Sequence, residues 1–182
     1  MTESVHIVHP LDNETQSLRT IQLSHSEIHE GHHFTVSLYD QDLDNTETLE
    51  YVITVPDSKK WPHIIFSVYG ALSTLFQLFE STTHTASTPV NIYNNNRNIA
   101  TSPTTTIKTS ADDGTDGIEI FGRSFGIATG VGVNIKSGGG DTRGDQEWVL
   151  RQNTKYLAKV TSSTDNNNVS LVISWYEHTN LD

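Results

Sequence analysis

The sequence predicts an all-β domain, a β-sandwich or jelly-roll-like barrel with an extended N-terminal arm. Three observations carry that expectation. Apolar and polar residues alternate with period two from Phe34 to Tyr39; short runs rich in β-branched and aromatic residues recur between clusters of Asn, Asp, Gly and Pro; and no long helical period separates those runs. Short strands without intervening helices favour packed antiparallel sheets or a closed barrel over a parallel α/β sheet.

Residues 1–20 carry scattered charge and few large apolar groups, with Pro10 and Asn13 interrupting any period, and read as an arm ahead of a single domain over 21–182. Phe34, Val36 and Leu38 share one parity and Thr35, Ser37 and Tyr39 the other, as in a strand with one buried face. A turn comes next at 40–45. The β-rich run 49–55 stops at Pro56-Asp57, and 61–69 continues to Gly70; the two are expected to be adjacent strands. Segment 72–80 is ambiguous, because Leu72, Leu75, Phe76 and Phe79 fall at i, i+3, i+4 and i+7. It is read as a strand: a helix there would be short, its neighbours are β-like, and 70–73 can serve as a hairpin turn.

Further along, 81–89 reads as a Thr/Ser loop, 90–93 as a short strand, 94–98 as a polar corner, and 105–109 as a strand after Pro103. The glycine-dense stretch 114–144 offers strands at 118–121 and 131–136, then a loop at 137–140, and is poor ground for helices. The last third is clearer, with strands at 147–151, 156–161 and 169–176 separated by turns at 152–154 and 165–168. No internal repeat or heptad is present.

The 182 residues suit one domain with an ordinary core. Eleven basic residues against 22 acidic ones, a net charge of −11, argue against a nucleic-acid partner, since phosphate is met chiefly by Lys and Arg. The absence of cysteine removes disulfides, zinc–thiolate sites and thiol catalysis. No run approaches the roughly 18 to 20 apolar residues of a spanning helix, and residues 1–10 lack the basic start and apolar centre of an export signal, so no membrane partner and synthesis in a cytoplasm are expected. The sequons at Asn13 and Asn168 therefore carry no information.

Four histidines, His25, His29, His32 and His33, stand with Glu27 and Glu30, and imidazole with carboxylate suits zinc, iron or manganese. Read as a strand, His25, Glu27, His29 and His33 share one parity, but i and i+2 lie about 7 Å apart and do not converge on one ion. The spacing also lacks the first cupin motif, so these residues are expected to be structural or interfacial, with no metal or other cofactor. Gly122-Arg123-Ser124-Phe125-Gly126 matches the nucleophile elbow of hydrolases in composition, but residues 127–132 are too rich in glycine and β-branched side chains to form the required helix. The glycines at 130–132 and 138–140 lack the Gly-Lys-Ser/Thr ending and helix of a phosphate loop. Arg143-Gly144-Asp145 reads as a turn, and Asp112/Asp113 and Asp42/Asp44 as solvated loop charge rather than a glycosidase pair. Asn94-Asn95-Asn96-Arg97-Asn98 suits a buried corner or a subunit contact. No catalytic residue is assigned, and an enzyme is not expected.

In order, His29-Glu30-Gly31-His32-His33-Phe34, Val55-Pro56-Asp57 before Trp61, the 94–98 corner, Asn153-Thr154-Lys155-Tyr156 and Trp175-Tyr176-Glu177-His178 resemble a family of tailed-bacteriophage virion proteins. Its members are head decoration (cement or auxiliary capsid) proteins or structural proteins of unassigned role. The resemblance covers residues 20–180. It implies an all-β virion module, a homotrimer that binds the major capsid protein at three-fold sites and reinforces the capsid exterior. The candidate contacts are His25, Glu27, His29, His32, His33, Asn94, Asn95, Asn96, Arg97, Trp175, Tyr176 and His178. A trimeric tail-fibre or receptor-binding head is the alternative, and a cupin-like metalloenzyme a third class.

Overall fold

A computed structural model describes residues 23–126 and 147–179; the expected arm, the strand expected at 131–136, the glycines at 130–132 and 138–140 and Arg143-Gly144-Asp145 lie outside them. The described residues form one helix, α1 (Leu23–Glu30), and eleven strands: β1 (His33–Leu43), β2 (Thr48–Val55), β3 (Lys60–Gly70), β4 (Thr74–Glu80), β5 (Ala86–Pro89), β6 (Tyr93–Asn94), β7 (Thr106–Ser110), β8 (Ile118–Phe125), β9 (Trp148–Val149), β10 (Thr154–Ser162) and β11 (Asn167–Thr179). They make an all-β sandwich of a five-stranded sheet, β6-β1-β11-β3-β9, and a six-stranded sheet, β5-β7-β2-β10-β4-β8.

The central strands, β1-β11-β3-β9 against β2-β10-β4-β8, interleave as in a jelly roll: β1, β2, β3 and β4 alternate between sheets, as do β8, β9, β10 and β11. This corrects two local expectations. Runs 49–55 and 61–69 are β2 and β3, consecutive in the chain but in opposite sheets, and 70–73 is an arch between sheets rather than a hairpin turn. The physical reason is that the partners come from the far end of the chain. β11 inserts between β1 and β3, and β10 between β2 and β4.

The inner face of the first sheet is three apolar rungs, Phe34–Trp175–Ile64, Val36–Ile173–Phe66 and Leu38–Leu171–Val68. Tyr51, Ile53, Phe76, Leu78, Tyr156 and Val160 face them from the second sheet and close one core. The strand reading of 72–80 holds in β4. Its helix-like spacing arises because both faces are covered: Phe76 and Leu78 point into the main core, while Phe79 points outward into a second cluster with Val52, Leu157 and Ala86. Chain segments 82–85 and 111–116 run together over that outer side, through Thr85 N donating to Asp113 Oδ1 (2.7 Å), Ala111 N to Thr85 O (3.0 Å) and Thr83 N to Thr115 O (3.1 Å). The approach is close enough that a Cβ on Gly114 would lie 2.5 Å from His84 N. Between them, 86–89 forms edge strand β5 instead of loop, and the strand expected at 90–93 shrinks to β6.

The arches far from α1 are joined by Asn167, which is fully buried. Its Oδ1 accepts from Leu72 N (2.8 Å), and its Nδ2 donates to Thr74 Oγ1 (2.9 Å) and Ser162 Oγ (3.1 Å), tying the β3–β4 arch to the β10–β11 arch. Asn167→Ala leaves these buried partners unsatisfied and is expected to cost about 1 to 3 kcal/mol, while Asn168→Ala, one residue on and exposed, is expected to cost little. Urea unfolding of the two variants checks this.

Candidate functional site at the helix-capped pole

Residues from three distant parts of the sequence meet at one pole of the sandwich. The first is α1, where the chain was expected to be extended. Gly31, with φ of 77°, ends the helix as a left-handed cap: Gly31 N donates to Ile28 O (3.1 Å) and His32 N to Glu27 O (2.9 Å), the paired bonds of a Schellman motif. On this helix His25 and His29 stand one turn apart and their Nε2 atoms approach to 2.9 Å, so the strand spacing that separated them does not apply.

The second part is the 94–98 corner, which completes the helix end. Asn94 Nδ2 donates to Gly31 O (2.7 Å), Asn96 Nδ2 to His29 O (2.9 Å), and Asn95 N to His33 O (2.9 Å). Asn94 and Asn96 also bend their own loop, each side-chain oxygen accepting from the amide two residues on. Asparagine suits the corner because one amide supplies a donor for a helix carbonyl and an acceptor for the turn.

The third part is the end of β11, where each residue of Trp175-Tyr176-Glu177-His178 has a separate task. Trp175 fills the core. Tyr176 stacks on His63 with ring centres 4.7 Å apart, and His178 stacks on His63 at 4.6 Å with the two Nε2 atoms 2.9 Å apart. Glu147 Oε1 lies 3.0 Å from His63 Nδ1, so a carboxylate orients the first imidazole, as Thr179 O does for His178 Nδ1 at 2.6 Å. Glu177 is the most constrained of the four. Only 1% exposed, it accepts from Thr104 N (2.8 Å) and Thr104 Oγ1 (2.7 Å) on Oε2, and from Thr105 N (2.8 Å) and Trp175 Nε1 (3.2 Å) on Oε1. Four donors satisfy a charge that burial alone would forbid.

These burials divide the candidate contacts. Trp175, Tyr176, Glu27, His33 and Asn94 are interior and build the pole rather than its surface, because their side chains are consumed by packing and by bonds to the helix end. His25, His29, Asn95 and Arg97 are exposed, and His32, Asn96 and His178 half-buried. Tyr93, not singled out from sequence, joins the exposed set with the Arg97 guanidinium 5.3 Å from its ring centre. Beside the pole lies a cleft of about 440 Å³ lined by Trp61, Glu80, Val149, Leu150, Arg151, Gln152 and Tyr156. Arg151 pairs with Glu80 (3.3 Å), and burial, together with the nearby Glu80 carboxylate, pushes the Tyr156 phenol above its ordinary range. Trp61 and Val149 leave apolar surface in that cleft exposed.

Among the described residues, two groups could hold a metal ion. Glu27, Glu30 and His32 meet at the end of α1, and Glu50, His84 and Asp112 meet on the outer side of the second sheet. The hydrolase-like pentapeptide is no elbow: its serine lies along β8, paired with Leu75 of β4. No protein-family model, curated protein or solved structure matches the chain.

Glu177→Gln replaces one accepting oxygen with an NH2 that faces donors, and is expected to destabilise the fold by about 1 to 3 kcal/mol. Glu30→Gln, exposed on α1, is expected to change stability by less than about 0.5 kcal/mol. Thermal and urea unfolding of both variants test the contrast.

Proposed function

We propose that the protein is a phage virion structural protein that decorates and stabilises the outside of a capsid, assembled as a trimer at three-fold sites. One observation carries the reading most directly: among the described residues, the outer face of the first sheet carries no charged side chain over three consecutive rungs. Beyond the His33–Tyr176–His63 rung, its rungs are Thr35–Ser174–Ile65, Ser37–Val172–Ser67 and Tyr39–Ser170–Tyr69. In a chain of net charge −11, an antiparallel sheet face with no charged side chain over three rungs, and with Tyr39 68% exposed, has the charge depletion and aromatic content of a contact surface. Small hydroxyl side chains let a neighbouring copy approach closely.

Three of the motifs that carry the resemblance to head decoration proteins lie together at the pole. His29–Phe34, 94–98 and Trp175–His178 are about 60 to 150 residues apart in the chain, yet they form one hydrogen-bonded unit. In this reading the exposed pole residues His25, His29, Tyr93 and Arg97 meet the shell, and the uncharged face meets the next copy. The cleft beside Trp61 favours a second reading, a receptor-binding head, because an exposed aromatic with a carboxylate, a guanidinium and an amide suits a saccharide. A metalloenzyme of cupin type would draw its ligands from inside the barrel; here the inner rungs are apolar, and His25 and His29 lie outside on α1.

Light scattering at micromolar concentration is expected to give a trimer mass for the natural chain. Ser37→Arg, on the uncharged face, is expected to give a monomer with stability changed by less than about 0.5 kcal/mol. Copy number in purified particles separates the two readings: a value comparable with the shell protein's supports decoration, and one comparable with a tail component's supports receptor binding. A natural chain that is monomeric both free and on particles overturns the trimer.

A further inference from the structure

The second metal-competent group stands away from the pole, on the outer side of the six-stranded sheet. Glu50 on β2, His84 and Asp112 each bring one ligand atom within 4.8 Å of the other two, a separation that a single ion with bonds of about 2.0 to 2.5 Å can bridge. Three separate chain segments supply them. Asp112 holds its place with φ of 53°, in the left-handed region that Asp and Asn tolerate.

A cluster of carboxylates alone says little, because exposed acidic groups gather without an ion. The informative member is His84, whose side chain is 2% exposed. Its Nε2 lies 3.0 Å from Asp116 Oδ1, and its Nδ1 is buried with no hydrogen-bond partner among the described residues. A carboxylate accepts, so the tautomer that Asp116 favours carries its proton on Nε2 and leaves a lone pair at Nδ1 for a metal ion. Buried acceptors are rarely left in that state. The arrangement of carboxylate, imidazole and unused nitrogen is the one by which proteins orient a histidine toward a metal.

We propose that His84 Nδ1, Glu50 and Asp112 bind a divalent transition-metal ion of the zinc or manganese class, with Asp116 orienting the imidazole. The nitrogen donor selects against magnesium and calcium, which prefer all-oxygen shells. Lys159 sits close by, its Nζ 2.9 Å from Glu50 Oε1 and 3.2 Å from Asp116 Oδ2, and it occupies one oxygen of each carboxylate, leaving Glu50 its other oxygen for an ion. Lys155 Nζ is directed to the His84 carbonyl (3.4 Å). Against these two ammonium groups stand Glu50, Asp112, Asp113 and Asp116, so the local field still attracts a cation. The ion would staple segments 82–85 and 111–116 to the sheet and seal the cluster of Val52, Leu157 and Phe79 beneath them.

The test uses the full chain, stripped with a chelator, and isothermal titration with Zn²⁺, Mn²⁺ and Ca²⁺ in turn. A background variant, His25→Gln/His29→Gln/His32→Gln, removes the two histidines of α1 and the one just after its cap. One Zn²⁺ or Mn²⁺ per chain is expected in that background, with a rise in melting temperature on binding. Asp112→Asn, which keeps the left-handed backbone and an exposed side chain, is expected to weaken binding at least tenfold and to abolish that rise. His84 is buried and its removal risks the fold, so its role is read by NMR, where saturating Zn²⁺ is expected to shift the His84 ring resonances in the background variant. The proposal is overturned by absence of a bound ion in the background variant, by unchanged affinity in Asp112→Asn, by unshifted His84 resonances, or by Ca²⁺ binding as tightly as Zn²⁺.

Discussion

Strand β11 is the element on which the rest of the molecule depends. It pairs along most of its length with β1 on one side and β3 on the other, and its Trp175, Ile173 and Leu171 supply the middle of every apolar rung in the first sheet. Without it, β1 and β3 have no common partner. Because it comes last in the described chain, the sandwich closes only when residues about 100 to 140 positions apart have met, which makes this a fold of high contact order and slow closure. Glu177 secures its end by gathering four donors from two chain segments. A buried carboxylate is tolerable there only because the 104–105 backbone is in place to receive it.

The two sheets use their outer sides differently, and the difference bears on function. The second sheet covers its outer face with its own chain, making the small cluster around Leu157 and placing His84 under a lid of threonine and aspartate residues. Over three rungs, the first sheet presents Ser, Thr, Tyr, Ile65 and Val172 on its outer face, with Tyr39 and Tyr69 exposed. A self-covered side suits a local site, such as a metal staple. An uncharged side is the kind of surface that another protein chain can cover.

Parts of the pole were legible in advance. The 94–98 asparagines were recognisable as a corner from their capacity to bond backbone in both directions, and they do so. Gly31 is equally informative: a glycine after His29-Glu30 marks a helix C-terminus, and with it His25–Glu30 reads as helix rather than strand. The weak amphipathicity of α1 hid it, because Leu23-Ser-His-Ser-Glu-Ile-His-Glu has no apolar stripe and depends on the asparagine corner for its last carbonyls. Tyr93, His63, Glu147 and His84 gave no sequence signal, since each is an ordinary residue until its neighbour from another strand is known.

By itself, the amino-acid sequence determined the all-β class, the strand character of 34–39, 49–55, 61–69, 156–161 and 169–176, and the inward parity of Phe34, Val36 and Leu38. Those properties come from local alternation and turn chemistry. Only the tertiary structure decided that consecutive strands lie in opposite sheets, that both faces of β4 are covered, and that Trp175 is core while Glu177 beside it is a buried clamp. The reason is physical: period two says which residues share a face, but the strand on the other side of each hydrogen-bond ladder, and the chain that covers an outer face, are set by pairing across the whole molecule.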